Sequence, residues 1–185
     1  PGDPAVNDFL ALEIQGLSAD IFFAQDVVGV PDQSDVLATL IDYHPGRGTL
    51  PLNPAGGGAT ISGVWRGLLE APDNGLHNFY VEADAGAVIS LSLDGQPVIL
   101  AENGGVWQNQ NPVELQAGRV YELAFIARNV RDVLVWNWER KGMGRAVVPA
   151  ASLYPASVVD RFRNSYLRLL KVLALADGVS LASEE

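Results

Sequence analysis

From Gly63 to Lys141 the chain repeats one plan: a short segment of alternating apolar and polar residues, then a turn. The segment "GVWRGLLEAP" runs into Pro72, Asp73, Asn74 and Gly75, four strong turn formers in a row. "HNFYVEADAG" then places Phe79, Val81 and Ala83 on one side. "AVISLSLDGQPVI" sets Val88, Leu91 and Leu93 before Asp94-Gly95, with Val98 and Leu100 after it, the pattern of a hairpin. "NPVELQAGRVYELAFIARN" turns at Ala117-Gly118 and continues as a strand through Tyr121, Leu123 and Phe125. "DVLVWNWERK" puts Leu134, Trp136 and Trp138 on one face, with Val133, Val135 and Asn137 on the other. A period of two means strand, not helix. Short strands at regular spacing, joined by turns, predict a mainly β, two-sheet antiparallel sandwich.

Upstream, Ile21, Phe22 and Phe23 suit a strand, because aromatic and β-branched residues fit a pleated, half-buried surface. Residues 24–60 hold Pro31, Pro45, Pro51, Pro54 and a glycine triplet at 56–58. They predict a long loop-rich connection with one or two strands around Val36–Tyr43. The period changes after Pro155. Val159, Phe162, Tyr166, Leu169, Leu170 and Leu173 recur at three and four, one face of an α-helix over 156–177. Ser157 suits its N-cap and Gly178 the position after its end. Three parts follow: a lead-in over 1–15, a β-sandwich over 16–155 and a helical segment over 156–185. The opening at Pro1 and the close in "SLASEE" give the expectation of a piece of something longer.

Composition narrows the function classes. The net charge is −10, and the acids crowd into residues 1–118, which hold only two arginines, Arg47 and Arg66. Such a body repels phosphate, so no nucleic acid partner is expected. No stretch approaches the ~20 apolar residues that span a bilayer. The chain has no cysteine, which removes disulfides, thiolate chemistry and cysteine-based zinc sites. His44 and His77 stand in no metal-binding spacing, and neither a nucleophile elbow nor a phosphate-cradling loop occurs. A non-catalytic role is expected. Arg128, Arg131, Arg140, Lys141 and Arg145 form a basic cluster, read either as a patch facing an acidic partner or as charges guarding an edge strand.

The ordered set Trp65-x-Gly67, Pro72–Gly75, Phe79, Asp94-Gly95, Ala117-Gly118, Trp136 and Leu153-Tyr154-Pro155 resembles the PA-fourteen domain, named after the anthrax protective antigen. The resemblance covers about residues 16–155. It implies a two-sheet β-sandwich of the PA-fourteen type, followed here by the C-terminal α-helix. The tail from "LYPASVVDRF" onward also resembles the handover to the helical shell in toxin-complex A components. Together these imply a binding module of a secreted, extracellular bacterial toxin. Its partners would be a host glycan or cell-surface receptor and other domains of a larger parent protein. A structural spacer and a glycosidase accessory domain are the alternatives.

Sugar-binding members of the family use two adjacent aspartates to hold calcium, which in turn holds sugar hydroxyls. The matching place is "EADAGA", where Ala85 follows Asp84 and the second carboxylate is missing. Two readings of Asp84 stand: a calcium ligand, or the cap of a strand end. No other cofactor is implied. The loop "AENGGVWQNQNP" is the second candidate, with Asn103, Gln108, Asn109 and Asn111 around Trp107. Aromatic faces stack on sugars, and amides pair with hydroxyls. The alternative has Trp107 folding back on the core. Trp65, Trp136 and Trp138 are expected to be structural.

Overall fold

The structure, a computed structural model, describes residues 15–44, 60–98, 100–157 and 171–172. Its strands in chain order are β1 (Leu17–Phe22), β2 (Gln33–Ala38), β3 (Asp42–Tyr43), β4 (Ile61–Glu70), β5 (Gly75–Ala83), β6 (Val88–Leu93) and β7 (Gln96–Val98). They continue with β8 (Leu100–Asn103), β9 (Val106–Asn109), β10 (Val113–Leu115), β11 (Val120–Val130), β12 (Leu134–Arg140), β13 (Met143–Val147) and β14 (Leu153–Pro155). The first sheet runs β2-β1-β4-β11-β6-β7, with β14 also against β4. The second runs β13-β12-β5-β9-β8, with β10 against β5 and β3 against β12. Every pairing among these strands is antiparallel.

The expected turns form where their residues permit. Asp94 and Gly95 both adopt positive φ (49° and 72°), as the two-residue hairpin between β6 and β7 requires. The Asp94 carboxylate also accepts the Glu122 N–H at 2.8 Å, which ties the turn to β11. Strands β2 and β3 answer the expectation around Val36–Tyr43. The helix expected over 156–177 falls almost wholly outside the described residues.

Alternation places the core between the sheets. Leu17, Ala19 and Ile21 of β1, Trp65 and Leu69 of β4, and Leu123, Phe125 and Ala127 of β11 point inward from the first sheet. Phe79, Val81, Leu134, Trp136 and Trp138 meet them from the second. Four rings bridge the layers. Trp65 meets Phe125 edge-on at 5.6 Å, Phe125 crosses to Trp136 at 5.7 Å, and Trp136 stacks on Phe79 at 6.0 Å. The expectation that Trp65, Trp136 and Trp138 are structural agrees with their burial.

The Trp65-x-Gly67 motif has a steric origin. The Trp65 indole lies over Gly63, where a Cβ would stand 2.4 Å from the ring. At Gly67 the chain of β14 passes so closely that a Cβ would sit 2.2 Å from the Tyr154 carbonyl oxygen. Strands β1 and β14 thus share one side of β4, joined end to end by the Gly16 N–H donating to the Leu153 carbonyl at 2.8 Å.

Tyr154 closes this corner by donating its hydroxyl to Glu70 at 2.8 Å. Burial, with the hydrogen bond to Glu70, pushes its phenol from 10.0 up to about 12. The unfolded chain therefore releases this proton before the folded one does. Its contribution to stability is complete below pH about 10 and is lost as pH rises toward about 12. Tyr154→Phe is expected to flatten that part of the alkaline decline. Urea denaturation of both proteins on either side of the ordinary tyrosine value checks this; parallel slopes would refute it.

Candidate ligand-binding site

The segment expected as a polar loop is a β-hairpin. Gly104 and Gly105, at φ 62° and 82°, turn β8 into β9. The Glu102 carboxylate accepts the Gly105 N–H at 2.8 Å, and the Gly105 carbonyl accepts the Ala83 N–H at 3.1 Å. The hairpin is therefore fastened to β5 rather than hanging from it.

Alternation divides its side chains between two faces. Trp107 and Asn109 point inward, 7% and 4% exposed. This corrects the expectation that Trp107 offers an open ring face and Asn109 a free amide. Asn109 does internal work: its Oδ1 accepts the Phe79 N–H at 2.7 Å, and its Nδ2 donates to the Asn111 carbonyl at 2.6 Å. Phe79 sits between the stretch of β5 paired with β10 and the stretch paired with β9, so its N–H needs a side-chain partner.

Asn103 and Gln108 face outward and are exposed. With Ala101, Val106, Asn109 and Gln110 they line a shallow hollow of about 570 Å³. Asn111 lies apart, beside Gln96, Pro97 and Pro112 in a smaller hollow of about 330 Å³. A third hollow, about 510 Å³, is lined by the Ala85–Ile89 segment, Leu100, Glu102 and Trp107. Of the six residues singled out from sequence, Asn103, Gln108 and Asn109 thus border one hollow, while Asp84, Trp107 and Asn111 lie elsewhere.

Asp84 ends β5. Its Oδ2 accepts three consecutive backbone N–H groups, from Arg131, Asp132 and Val133, at 2.6, 2.8 and 3.2 Å. That oxygen pins the β11–β12 turn to the end of the second sheet. Ala85 adds no donor, and among the described residues no three His, Cys, Asp or Glu side chains converge as a metal site. The donor set therefore does not fit a calcium ion that takes six to eight oxygens. Asp84→Ala would strand three N–H groups. It is expected to cost about 2–3 kcal/mol, measured by denaturant unfolding, with Asp84→Asn losing less because one carbonyl oxygen remains.

Sequence reasoning missed the outer face of the second sheet. There the Tyr80 hydroxyl donates to Glu139 at 2.6 Å, and Arg145 lies over the Tyr80 ring at 4.4 Å. Arg145 also pairs with Glu82 at 2.7 Å, and Asn137 donates to Glu82 at 3.4 Å. The hydrogen bond to Glu139, with burial, raises the Tyr80 phenol above its ordinary value against the opposing charge of Arg145. The signal for half of this cluster was present in the alternation of β5, which sets Tyr80 and Glu82 opposite Phe79 and Val81. Arg145 had no such signal, because it arrives from β13.

The basic cluster is dispersed rather than pooled. Arg128 pairs with Asp26 at 2.8 Å, Arg140 with Asp73 and Arg145 with Glu82. Three of its five cations are neutralised within the same domain, which leaves little for an acidic partner.

No family model and no curated protein sequence matches this chain. Solved structures do. An anti-sigma factor domain-containing protein from Clostridium clariflavum superposes with TM-score 0.62 at 26% identity, over 84% of this chain and 51% of its own. The chain thus spans about half the length of that relative. The PA14 domain of the antifreeze protein MpAFP matches with TM-score 0.52 at 17% identity, over 76% and 91% of the two chains. The epithelial adhesin 6 A domain from Candida glabrata, solved in complex with Galb1-3GlcNAc, matches with TM-score 0.53 at 12% identity, over 77% and 87%. The fold is PA14-like, a mainly β, two-sheet sandwich. Among the described residues no helix is long and apolar enough to cross a membrane.

Proposed function

We propose that this domain is a non-catalytic binding module that engages a glycan or a cell-surface receptor at the β8–β9 end of the sandwich, without calcium. One observation carries the reading: a preformed hairpin fastened to β5 holds Asn103 and Gln108 exposed above a hollow of about 570 Å³. Exposed amides on a fastened backbone offer a donor and an acceptor each, the pairing that vicinal sugar hydroxyls need. Likeness of fold to an adhesin domain solved with Galb1-3GlcNAc supports the same ligand class. Calcium independence is supported by Asp84, whose Oδ2 is filled by three N–H groups, and by Ala85 in place of a second aspartate.

The setting we propose is a secreted, extracellular toxin of the toxin-complex type. The lead-in over 1–15 and the helical segment over 156–185 would connect the module at 16–155 to other domains of that parent. Asp84 then serves as a turn anchor, and Asn111 lies outside the contact surface.

A glycan array probed with the full chain, once in calcium and once in EDTA, tests this. Binding is expected to be saturable and equal in both. Binding abolished by EDTA would refute the calcium-free reading. No glycan bound, together with no binding to intact cells, would refute the module's role.

A further inference from the structure

Among the described residues four strands end the paths of the two sheets: β2 and β7 in the first, β13 and β8 in the second. An unpaired edge invites another strand, and three of these edges are blunted. β2 carries Asp35 at φ 52° and a register shift against β1. β7 is only Gln96–Val98 and contains Pro97, which has no N–H to offer. β13 shifts register against β12 and carries Arg145. β8 (Leu100–Asn103) has no proline, no positive φ and no register shift.

The free groups on β8 follow from its register. Asn103 and Val106 close a two-residue turn, so they form a hydrogen-bonded pair, and such pairs alternate along an antiparallel ladder. Ala101 is therefore bonded to Gln108, while Leu100 and Glu102 turn their N–H and C=O groups away from β9. Among the described residues no other backbone group reaches them. Side chains alternate as well. Leu100 and Glu102 share a face with Trp107 and border the hollow of about 510 Å³ beside Ala85–Ile89. Ala101 points to the opposite face with only a methyl group.

We propose that β8 accepts an extended peptide of a partner protein as an added antiparallel strand, with an apolar residue opposite Leu100 and a lysine or arginine opposite Glu102. This site goes beyond the glycan reading and does not depend on it. Backbone bonds to Leu100 and Glu102 supply the affinity, and alternate side chains supply the selectivity. The residue facing Leu100 enters the hollow, against Val88 and Ile89. The residue facing Glu102 meets a carboxylate whose partner among the described residues is the neutral Gly105 N–H, so a cation completes a cross-strand pair. The residue between them faces Ala101, which leaves room for a side chain of any size. Charge argues against a second copy as the occupant. Two chains at −10 repel, and β8 paired with itself brings no cation to Glu102.

The full chain is titrated with a capped peptide in which threonine alternates with lysine and valine, the lysine two positions before the valine. Amide exchange is followed residue by residue. Exchange at Leu100 and Glu102 is expected to slow, while Ala101, already bonded to β9, stays unchanged. N-methylation of the lysine or the valine removes a donor to β8 and is expected to weaken binding about tenfold. N-methylation of the threonine between them, whose N–H points away, should be tolerated. Glu102→Gln keeps the bond to Gly105 and removes the charge, so it should bind the lysine peptide about threefold more weakly. Equal binding of all the N-methylated forms would overturn strand addition. Preference of the native chain for a peptide with glutamate in place of the lysine would overturn the charge assignment. Slow exchange at Leu100 and Glu102 that grows with protein concentration, without peptide, would make the occupant a second copy instead. No slowing at these two amides with any of the peptides would overturn the proposal, whatever the glycan array shows.

Discussion

Trp136→Ala is expected to lower the unfolding free energy by about 3–5 kcal/mol, the range for removing a large aromatic from a packed core. Trp136 is 1% exposed and occupies the centre of the inter-sheet bridge, between Phe125 of the first sheet and Phe79 of the second. Truncation deletes both aromatic contacts and leaves a cavity that two hydrogen-bonded sheets cannot close by local adjustment. Most small domains have only about 5–15 kcal/mol in total, so the variant would be near the edge of folding at ambient temperature. Leu76→Ala provides the contrast: Leu76 is 58% exposed, and its loss should stay within about 0.5 kcal/mol. Urea or thermal unfolding measures both. A Trp136→Ala cost near that of Leu76→Ala would mean the two layers are not joined through these rings.

The second large effect is expected from adding one methyl group. Gly67→Ala would place a Cβ 2.2 Å from the Tyr154 carbonyl oxygen and 2.8 Å from Leu17 Cδ2. The side chain of Leu17 can turn aside, but the backbone of β14 cannot move without breaking its pairing with β4 at Leu153 and Tyr154. The expected loss is about 3 kcal/mol, the upper part of the range for overpacking. Fraying of β14, seen as faster amide exchange at Leu68 and Tyr154, should accompany it. Gly144→Ala is the control, since a Cβ there meets nothing within 4 Å. Equal stabilities for the two alanine variants would refute the close-approach account of the Trp65-x-Gly67 motif.

Both effects show how far the residues alone carry the fold. The alternation of "LVWNW" identifies Trp136 and Trp138 as inward without knowledge of what they meet, because a strand sends successive side chains to opposite faces. The same local rule sets Tyr80 and Glu82 on the outer face. Turn chemistry is equally local: Asp94 and Gly95 adopt positive φ wherever β6 and β7 pair. Gly67 is different. Its need for a missing side chain comes from Tyr154, 87 positions further on, and was visible only as an ordered motif shared with a family.

The candidate site divides along the same line. In "VWQN" alternation joins Trp107 to Asn109 and separates both from Gln108, but it does not say which pair faces the core. An aromatic argues for burial and an amide against it. The gap between β10 and β9 decided the matter, since the Phe79 N–H there takes the Asn109 oxygen as its partner. Asp84 likewise had two readings until the N–H groups of Arg131, Asp132 and Val133 met its Oδ2. Arg145 joined Tyr80 and Glu82 only through the pairing of β13 with β12. From the chain itself come the strand period, the turns, the acidic charge and the missing second aspartate, because each depends on residues a few positions apart. Tertiary structure alone settled strand register and the partners of Asp84, Asn109 and Arg145, because hydrogen bonds and ion pairs between distant strands leave no period in the sequence.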